Sequence, residues 1–264
     1  MHIDLSKRHA IVTGSTAGIG LAIARGLAAA GAHVVVTGRT QSRVDEAIAG
    51  IASKVDGARL SGVAGDLGTR EGAQQLIAAV PRTDILVNNL GIFEPKPFFD
   101  IPDEDWLRFF EVNVMGGVRL ARHYAQGMAQ RGWGRVQFVS SESAVQIPAE
   151  MVHYGVTKTA QLAVSRGLAE TLAGTGVTVN AILPGPTRSE GVGDFFGKIA
   201  AEQGVPLEQV EHDFIATHRP SSLIRRLATV DEVASLAVYL ASEQASATTG
   251  AAMRVDGGVV RSVV

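Results

Sequence analysis

Short apolar runs rich in β-branched residues alternate along the whole chain with longer segments of helical character. Several runs, such as residues 33–37 (HVVVT), are apolar along their length, which is typical of parallel strands buried on both faces. Seven such runs interleaved with helices predict an α/β fold, with a doubly wound, mainly parallel seven-stranded sheet flanked by helices on both faces. The predicted strands are residues 9–13, 33–37, 60–64, 85–88, 136–140, 177–182 and 252–255.

The predicted helices cover residues 18–30, 42–52, 69–79, 103–130, 152–173 and 230–242. One segment interrupts the alternation, because residues 185–226 are too many for an ordinary loop between a strand and the next helix. We therefore predict a single domain over residues 1–264, with residues 185–226 as an inserted substrate lid.

Composition excludes several classes of protein. The 264 residues include 24 Lys and Arg against 26 Asp and Glu, a formal net charge of −2, which excludes a strongly basic binder of nucleic acid. The chain has no Cys for disulfides, thiolate chemistry or zinc, and its His residues lack metal-ligand spacing, so we predict no metal site. It has neither an apolar run of about 18 residues nor an apolar leader core. We expect a cytoplasmic protein without membrane or nucleic-acid partners.

A glycine-rich turn follows the first predicted strand. The run TGSTAGIG (13–20) places Gly14, Gly18 and Gly20 between that strand and an Ala-rich helix. There the backbone can approach a pyrophosphate, which a helix N-terminus binds through free N–H groups and a partial positive charge. A glycine-rich turn without a ligand is the alternative. The spacing G-x-x-x-G-x-G, with no Gly-Lys-Ser/Thr, favours a dinucleotide over a nucleoside triphosphate.

The end of the second strand bears on which dinucleotide is bound. NAD-preferring sites usually place Asp or Glu there to accept hydrogen bonds from the ribose 2′-OH. Here the run is Val-Thr-Gly-Arg-Thr (36–40), so the guanidinium of Arg39 stands where the carboxylate would be. It could pair with a 2′-phosphate and stack on adenine. We predict NADP(H), with NAD(H) possible; a solvated loop arginine is the alternative.

Tyr154 and Lys158 share one face of a predicted helix, because they are four residues apart. A neighbouring ammonium stabilises a tyrosinate, whose parent phenol has a pKa of about 10, so the pair could exchange a proton with a carbonyl or alcohol. Ser141 ends the preceding strand, at the edge where such sheets place their sites. Ser140 competes for this role, but the spacing to Tyr154 favours Ser141. His153 points about 100° away from Tyr154, which favours a structural or pocket-edge role.

These residues and the motifs around them resemble the short-chain dehydrogenases/reductases of the single-domain type, over essentially the whole chain. The resemblance implies a Rossmann-type fold and a catalytic tetrad. It rests on the ordered motifs TGSTAGIG (13–20), Asp66-Leu67, Asn88-Asn89-Leu90-Gly91, the set Asn113, Ser141, Tyr154 and Lys158, Pro184-Gly185 with Ser189, and Val255-Asp256-Gly257-Gly258. Leu90 departs from the family's usual Ala and adds bulk near the cofactor.

The resemblance also implies a role for each tetrad member. Tyr154 is the general acid/base, and Lys158 lowers its pKa and holds the nicotinamide ribose. Ser141 binds the substrate oxygen and steadies the developing charge, and Asn113 supports a water that relays protons to Lys158. The implied cofactor-binding residues are Gly14, Ser15, Thr16, Gly18, Ile19, Gly20, Arg39, Asp66, Leu67, Asn89, Gly91, Tyr154, Lys158, Pro184, Gly185, Thr187 and Ser189.

The predicted function is hydride transfer between a nicotinamide and a small-molecule carbonyl or alcohol. A 3-oxoacyl-carrier-protein reductase is the specific alternative, and its acidic partner would need basic residues such as Arg119, Arg122 and Arg166. The second alternative function is a non-catalytic regulator that senses NADP. Helices 103–130 and 152–173 carry more apolar residues than a sheet face alone should bury, and the family resemblance implies that they join chains into a homotetramer, a dimer of dimers. Candidate pocket residues are 92–97, 146–151, Phe195, Phe196, Phe214, Ile215 and His218.

Overall fold

Nine strands lie in the residues that the computed structural model describes, which are 2–263 apart from the side chains of residues 194 and 195. Seven of them form one parallel sheet in the order β3-β2-β1-β4-β5-β6-β9, and β7 pairs with β8 in a separate ribbon. The predicted doubly wound sheet is confirmed. The strands are β1 (His9–Val12), β2 (His33–Gly38), β3 (Arg59–Ala64), β4 (Ile85–Asn88), β5 (Gly134–Val139), β6 (Val177–Pro184), β7 (Thr187–Arg188), β8 (Ala228–Thr229) and β9 (Ala252–Val255).

The helices cover both faces of this sheet. Helices α1, α2 and α9 pack on one face, and α3, α5 and α6 pack on the other. Their bounds are α1 (Gly18–Ala29), α2 (Gln41–Ala52), α3 (Arg70–Ala79), α4 (Asp103–Phe110), α5 (Gly116–Gln130), α6 (Val152–Thr171), α7 (Glu190–Gln203), α8 (Leu207–His218) and α9 (Val230–Leu240).

The side chains of β1 show why the strands are apolar along their length. Ala10 and Val12 belong to the core under α1 and α9, whereas Ile11 belongs to the core under α3 and α5. Successive side chains of a strand point to opposite faces, so a strand covered on both sides buries apolar side chains at consecutive positions. The chain order reverses between β1 and β4, and this switch point opens a crevice at the carboxyl ends of the strands.

Residues 103–130 are helical from end to end, as predicted, but the helix is not an α-helix along its whole length. A π-helical turn, Glu111–Met115, separates α4 from α5, and the Gly116 N–H donates to the Glu111 carbonyl five residues back. Such a turn accommodates one extra residue, and π-helical turns of this kind are frequent at functional sites. The turn places Asn113 at the sheet edge.

Residues 185–226 contain α7 and α8, which pack on each other around a small core of their own. Phe196, Val210 and Ile215 are buried in that core. None of the helices in the described part of the chain is both long and apolar enough to cross a membrane.

Candidate active site

The glycine-rich turn lies at the carboxyl end of β1, leads into α1 and is too closely packed for a side chain at Gly20. A Cβ on Gly20 would lie 2.3 Å from the Gly14 carbonyl oxygen and 2.4 Å from Asn89 Nδ2. Gly14 has a φ of 62°, a conformation that favours glycine. Both glycines are therefore required by the shape of the turn itself, before any ligand is considered.

Short polar side chains hold this turn from two neighbouring strands. Asn89 Nδ2 donates to the Thr13 and Gly14 carbonyls at 2.9 and 3.1 Å. The Ser15 hydroxyl donates to the Val12 carbonyl (2.7 Å) and accepts from the Thr37 N–H (2.9 Å), and the Ser15 N–H donates to the Thr37 carbonyl. Both polar groups of Ser15 are thus used within the protein, so this residue braces the loop.

The groups that remain free in this region are hydrogen-bond donors. Helix α1 begins after Ala17, which provides no side-chain cap, whereas Thr69 and Thr229 cap α3 and α9 through their hydroxyls. Among the described residues, exposed Arg39 has neither a hydrogen-bond nor an ion-pair partner, and nearby Arg43 lies 3.5 Å from Glu190. An uncapped helix start with an unpaired guanidinium beside it fits a phosphorylated dinucleotide.

Asp66 and Leu67 follow β3 at the same edge. The Asp66 carboxylate is exposed and accepts from the Gly68 N–H at 3.0 Å. Leu67 is buried in the core, so its side chain is not available to a ligand. Thr16 and Ile19 lie in the turn and first helical residues, and both are partly exposed.

The Pro184-Gly185 segment joins β6 to the ribbon strand β7. A Cβ on Gly185 would lie 2.6 Å from the Asp256 carbonyl oxygen, so only glycine fits there. The Thr187 hydroxyl donates to the Gly185 carbonyl, and the Ser189 N–H donates to the Thr187 carbonyl, both at 2.8 Å. This segment reaches the glycine-rich turn, because a Cβ on Gly18 would lie 3.2 Å from the Ser189 Cβ.

Asn113 is held by its side chain, which explains the π-helical turn. Its Oδ1 accepts from the Ile92 N–H at 2.7 Å, and its Nδ2 donates to the Ile92 carbonyl and Thr157 Oγ1, both at 3.0 Å. The Asn113 carbonyl accepts from Gln161 Nε2, whose Oε1 lies 3.3 Å from Lys158 Nζ. Gln161 thus links Asn113 to Lys158, a connection that we did not predict.

Ser141, Tyr154 and Lys158 meet at the carboxyl end of β5. Ser141 lies close enough to Tyr154 for its hydroxyl to lower the pKa of the phenol. Lys158 Nζ lies 5.5 Å from the centre of the Tyr154 ring and donates to the Val139 carbonyl at 3.0 Å. Ser140 faces the other way, since its hydroxyl donates to the Lys158 carbonyl at 2.8 Å. Of the two serines, Ser141 is the one beside the phenol.

The pKa values of this group follow from burial. Burial raises the pKa of the Tyr154 phenol above its usual value, and the negative charge of Glu142 raises it further, while the Ser141 hydrogen bond opposes the rise. Burial also lowers the pKa of Lys158 to about 8. Burial, the largest of these effects, therefore acts against the lowering of the Tyr154 pKa that the family resemblance implies.

His153 is a core residue. Its ring is fully buried, 4.1 Å from the Phe109 ring centre and 6.0 Å from that of Trp106. Neither ring nitrogen has a hydrogen-bond partner among the described residues, and burial lowers the pKa of the imidazole. His153 is thus a neutral packing residue, in line with the structural alternative.

Of the predicted pocket residues, the segments 92–97 and 146–151 lie near Tyr154, whereas residues of the insert pack into the insert's own core. Phe93 lies edge-on to Tyr154, with ring centres 6.4 Å apart, and the segments 92–97 and 146–151 are joined by a 2.8 Å bond from the Lys96 N–H to the Glu150 carbonyl. The aromatic residues of the insert are wrongly assigned to the pocket. Phe196 and Ile215 are core residues of the insert, Phe214 packs against that core and stacks on His218, and the side chain of Phe195 lies outside the described residues.

Two charged residues that we did not predict complete this side of the site. Glu142 directly follows Ser141 and is buried, with Oε2 accepting from the Ser141 hydroxyl at 2.6 Å. Its Oε1 accepts from Arg219 Nε at 3.0 Å, from the end of α8. A carboxylate next to the strand-end serine was visible in the sequence, but nothing there indicated that Arg219 would pair with it.

Two of the three arginines that could bind an acidic carrier protein form ion pairs within the chain. Arg119 pairs with Glu111, and Arg166 pairs with Glu170. Arg122 is exposed on α5. A cluster of basic residues beside the pocket is therefore not formed by these three.

Comparisons with known proteins agree with this geometry. A family model described as "Enoyl-(Acyl carrier protein) reductase" matches residues 14–260. The chain is 48% identical to the uncharacterized oxidoreductase YvaG of Bacillus subtilis (strain 168), with 100% of both chains covered. It is 35% identical to dehydrogenase/reductase SDR family member 4 of Bos taurus, covering 96% of this chain and 88% of the relative. The crystal structure of L-sorbose reductase from Gluconobacter frateurii, complexed with NADPH and L-sorbose, superposes with a TM-score of 0.92 at 34% identity, with 100% of both chains covered.

Proposed function

The chain belongs to the short-chain dehydrogenase/reductase family of oxidoreductases, and from this premise we propose that it interconverts a carbonyl compound and its alcohol with NADP(H). The observation that carries the proposal is the position of Ser141, Tyr154 and Lys158 together at the carboxyl end of β5, on the edge of the sheet that also carries the glycine-rich turn. Asn113, Ser141, Tyr154 and Lys158 form the catalytic group in this proposal.

The bound cofactor would supply or accept the hydride. The uncapped first turn of α1 would hold its pyrophosphate, Lys158 its nicotinamide ribose, and the segment from Pro184 to Ser189 its nicotinamide. In reduction, Ser141 donates a hydrogen bond to the carbonyl oxygen, and Tyr154 donates the proton that this oxygen gains. A phenol carries its proton at neutral pH, so Tyr154 has a proton to donate in this step.

The preference for NADP(H) over NAD(H) rests on Arg39. This side chain is exposed at the end of β2, has no partner among the described residues, and could form a charge-assisted pair with a 2′-phosphate. The structural relative complexed with NADPH supports the same preference.

Replacement of Tyr154 by Phe tests the acid/base role. We expect kcat to fall by about 10²- to 10⁴-fold, the usual contribution of a general acid, while NADPH binding measured by fluorescence stays nearly unchanged. Turnover is measured from NADPH absorbance over a panel of aldehydes, ketones and 3-oxoacyl thioesters. Tyr239→Phe, in α9 on the far side of the sheet, is the matched control. Full turnover by Tyr154→Phe on a substrate of the wild type would overturn the assignment.

We also propose a homotetramer assembled through α4, α5 and α6. The outer faces of these helices expose Leu107, Phe110 and Val156, and Ala163 and Gly167 extend the α6 face with small side chains. Exposed apolar surface of this kind is typical of association sites. Light scattering should give the mass of four chains, and a monomer would contradict the proposal.

A further inference from the structure

The carboxylate of Glu142 is buried next to the serine that we assign to the substrate oxygen. Its Oε2 accepts the Ser141 hydroxyl proton at 2.6 Å, and its Oε1 accepts from Arg219 Nε at 3.0 Å. Only 5% of Glu142 and 7% of Arg219 is exposed. Water therefore cannot readily replace either hydrogen bond if one is lost.

The Ser141 hydroxyl has a single proton to donate. Its oxygen already accepts from the Ser143 N–H at 3.1 Å, and its proton is directed to Glu142. When Ser141 donates to a substrate carbonyl instead, Oε2 of Glu142 loses its donor. A buried acceptor left unpaired would weaken substrate binding by about 10- to 100-fold, unless the substrate brings a donor of its own.

We propose that the substrate supplies this donor, and that the site therefore selects carbonyl compounds with a hydroxyl on the carbon next to the carbonyl. This class comprises α-hydroxy ketones, including open-chain ketoses. The inference rests on the proposed function and names the substrate class of the same site.

The spacing of the protein groups suits such a substrate. The two oxygens of an α-hydroxy carbonyl lie about 3 Å apart, because only two carbons separate them. Ser141 Oγ and Glu142 Oε2 are 2.6 Å apart, so the carbonyl oxygen can face the serine while the hydroxyl faces the carboxylate. A 3-oxoacyl thioester has a CH₂ group at the corresponding position and no proton to offer.

The charges around the pair favour a neutral substrate. The Arg219 guanidinium is shared between Glu142 and Glu150, whose Oε1 lies 3.3 Å from Nη1, and Nη1 also donates to the His218 carbonyl. Two carboxylates against one guanidinium leave no spare positive charge for an acidic substrate. Hydroxyl groups, rather than a carboxylate or phosphate, are therefore the expected neighbours of the carbonyl.

The reaction balances with the reduced cofactor and one proton from the solvent, which restores the proton that Tyr154 gives up. The carbonyl carbon gains a hydride from the reduced nicotinamide, and the π electron pair of the C=O bond moves to oxygen, which takes the Tyr154 proton. The ketone is reduced by two electrons, the cofactor is oxidised by two, and the neighbouring hydroxyl is unchanged. The product is a vicinal diol.

The test compares 1-hydroxy-2-butanone with 2-butanone, which differ by this one hydroxyl. For the wild type with NADPH we expect kcat/KM to favour the hydroxyketone by at least about tenfold. Dissociation constants of the two ketones from the enzyme–NADP⁺ complex, where no hydride is available, should show the same preference by calorimetry. This second readout does not depend on turnover.

Glu142→Gln should reduce the preference to within about threefold. Arg219 Nε will select the amide oxygen, so the NH₂ group faces Ser141 and cannot accept from a substrate hydroxyl. Glu243→Gln, which makes the same change at an exposed carboxylate that pairs with Arg8 away from the site, is the control and should keep the wild-type ratio.

The outcomes distinguish failure of the proposed substrate class from failure of the proposed function. If both ketones are reduced with equal kcat/KM, or if Glu142→Gln keeps the wild-type ratio, the substrate class is wrong and the oxidoreductase assignment stands. If no carbonyl compound supports NADPH oxidation, both are overturned. The wild-type kcat/KM and binding ratios decide the question even if Glu142→Gln does not fold.

Discussion

The glycine-rich turn and the Ser141–Glu142–Arg219 network lie at the same edge of the sheet but are built from different bonds. The turn is braced by short neutral side chains of neighbouring strands, such as Thr37 and Asn89. The network joins charged groups 77 residues apart in the chain and connects β5 to the insert.

This difference has an energetic consequence. Neutral hydrogen bonds each contribute about 1 kcal/mol, and the loss of one affects mainly its own position. A buried ion pair is marginal when complete but strongly destabilising when one partner is removed, because the remaining charge has no counter-charge. The cofactor side is therefore expected to tolerate changes one at a time, whereas the substrate side is expected to respond as a unit.

The largest expected effect comes from breaking the network at one end. Arg219→Met leaves the Glu142 carboxylate buried without its guanidinium, and we expect the free energy of unfolding to fall by about 3–5 kcal/mol in urea denaturation. The double variant with Glu142→Gln should recover most of this loss. Arg226→Met, which breaks an exposed pair with Glu232, is the control and should cost much less. Additive single and double effects would contradict a coupled network.

Lys158 gives the next largest effect, as a dependence of stability on pH. Burial lowers the pKa of Lys158 in the folded protein to about 8, against 10.5 in the unfolded chain. Between these values the unfolded state binds more protons, so the stability that this lysine costs is regained as pH rises. Relative to Lys158→Met, the wild type should gain up to about 3 kcal/mol from about pH 8 to about pH 10. Parallel stability profiles of the two proteins would rule out the lowered pKa.

Within the turn, Gly20→Ala is expected to weaken NADPH binding by about 100-fold. The added Cβ would overlap the Gly14 carbonyl and Asn89 Nδ2, and overpacking of this kind costs about 1–3 kcal/mol. The measurement is a fluorescence titration. Gly50→Ala in α2 is the control, because its Cβ would meet no atom within 4 Å and should stabilise the helix by up to about 1 kcal/mol. Equal NADPH affinity in the two variants would show that the turn is not closely packed.

The smallest effect is expected at the exposed end of β2. Arg39→Asp should shift the ratio of NADPH to NADH dissociation constants by about tenfold in favour of NADH, since one charge-assisted contact to the 2′-phosphate is lost and a repulsion is gained. Arg82→Asp makes the same charge change beyond α3, at the opposite end of the strands, and should leave the ratio as it is. An unchanged ratio in Arg39→Asp would remove the basis for the NADP(H) preference.

Much of the sheet and of the site could be predicted because the signals are local. An apolar β-branched run specifies a buried strand, and Tyr154 with Lys158 share a helix face wherever that helix packs. The choice of Ser141 over Ser140 also follows from a local property, its spacing to Tyr154 in the chain. These predictions needed no knowledge of distant contacts.

The failures involve residues whose partners are remote in sequence. The helix over 103–130 contains a π-helical turn at Asn113, which bonds to Ile92 and Thr157, and no helical periodicity reveals this. Phe196 and Ile215 have the character of pocket residues, yet α7 and α8 bury them against each other. The Glu142–Arg219 pair was missed because a charge on a helix end is usually solvated.

The sequence by itself determined the parallel sheet, the position of the glycine-rich turn and the shared helix face of Tyr154 and Lys158, because periodicity and short spacings are enough for these. Only the tertiary structure decided that burial and Glu142 raise the pKa of Tyr154, and that Arg219 reaches Glu142 from the insert. Both depend on how far charged groups are removed from water, and desolvation is a property of the packed molecule that no local pattern encodes.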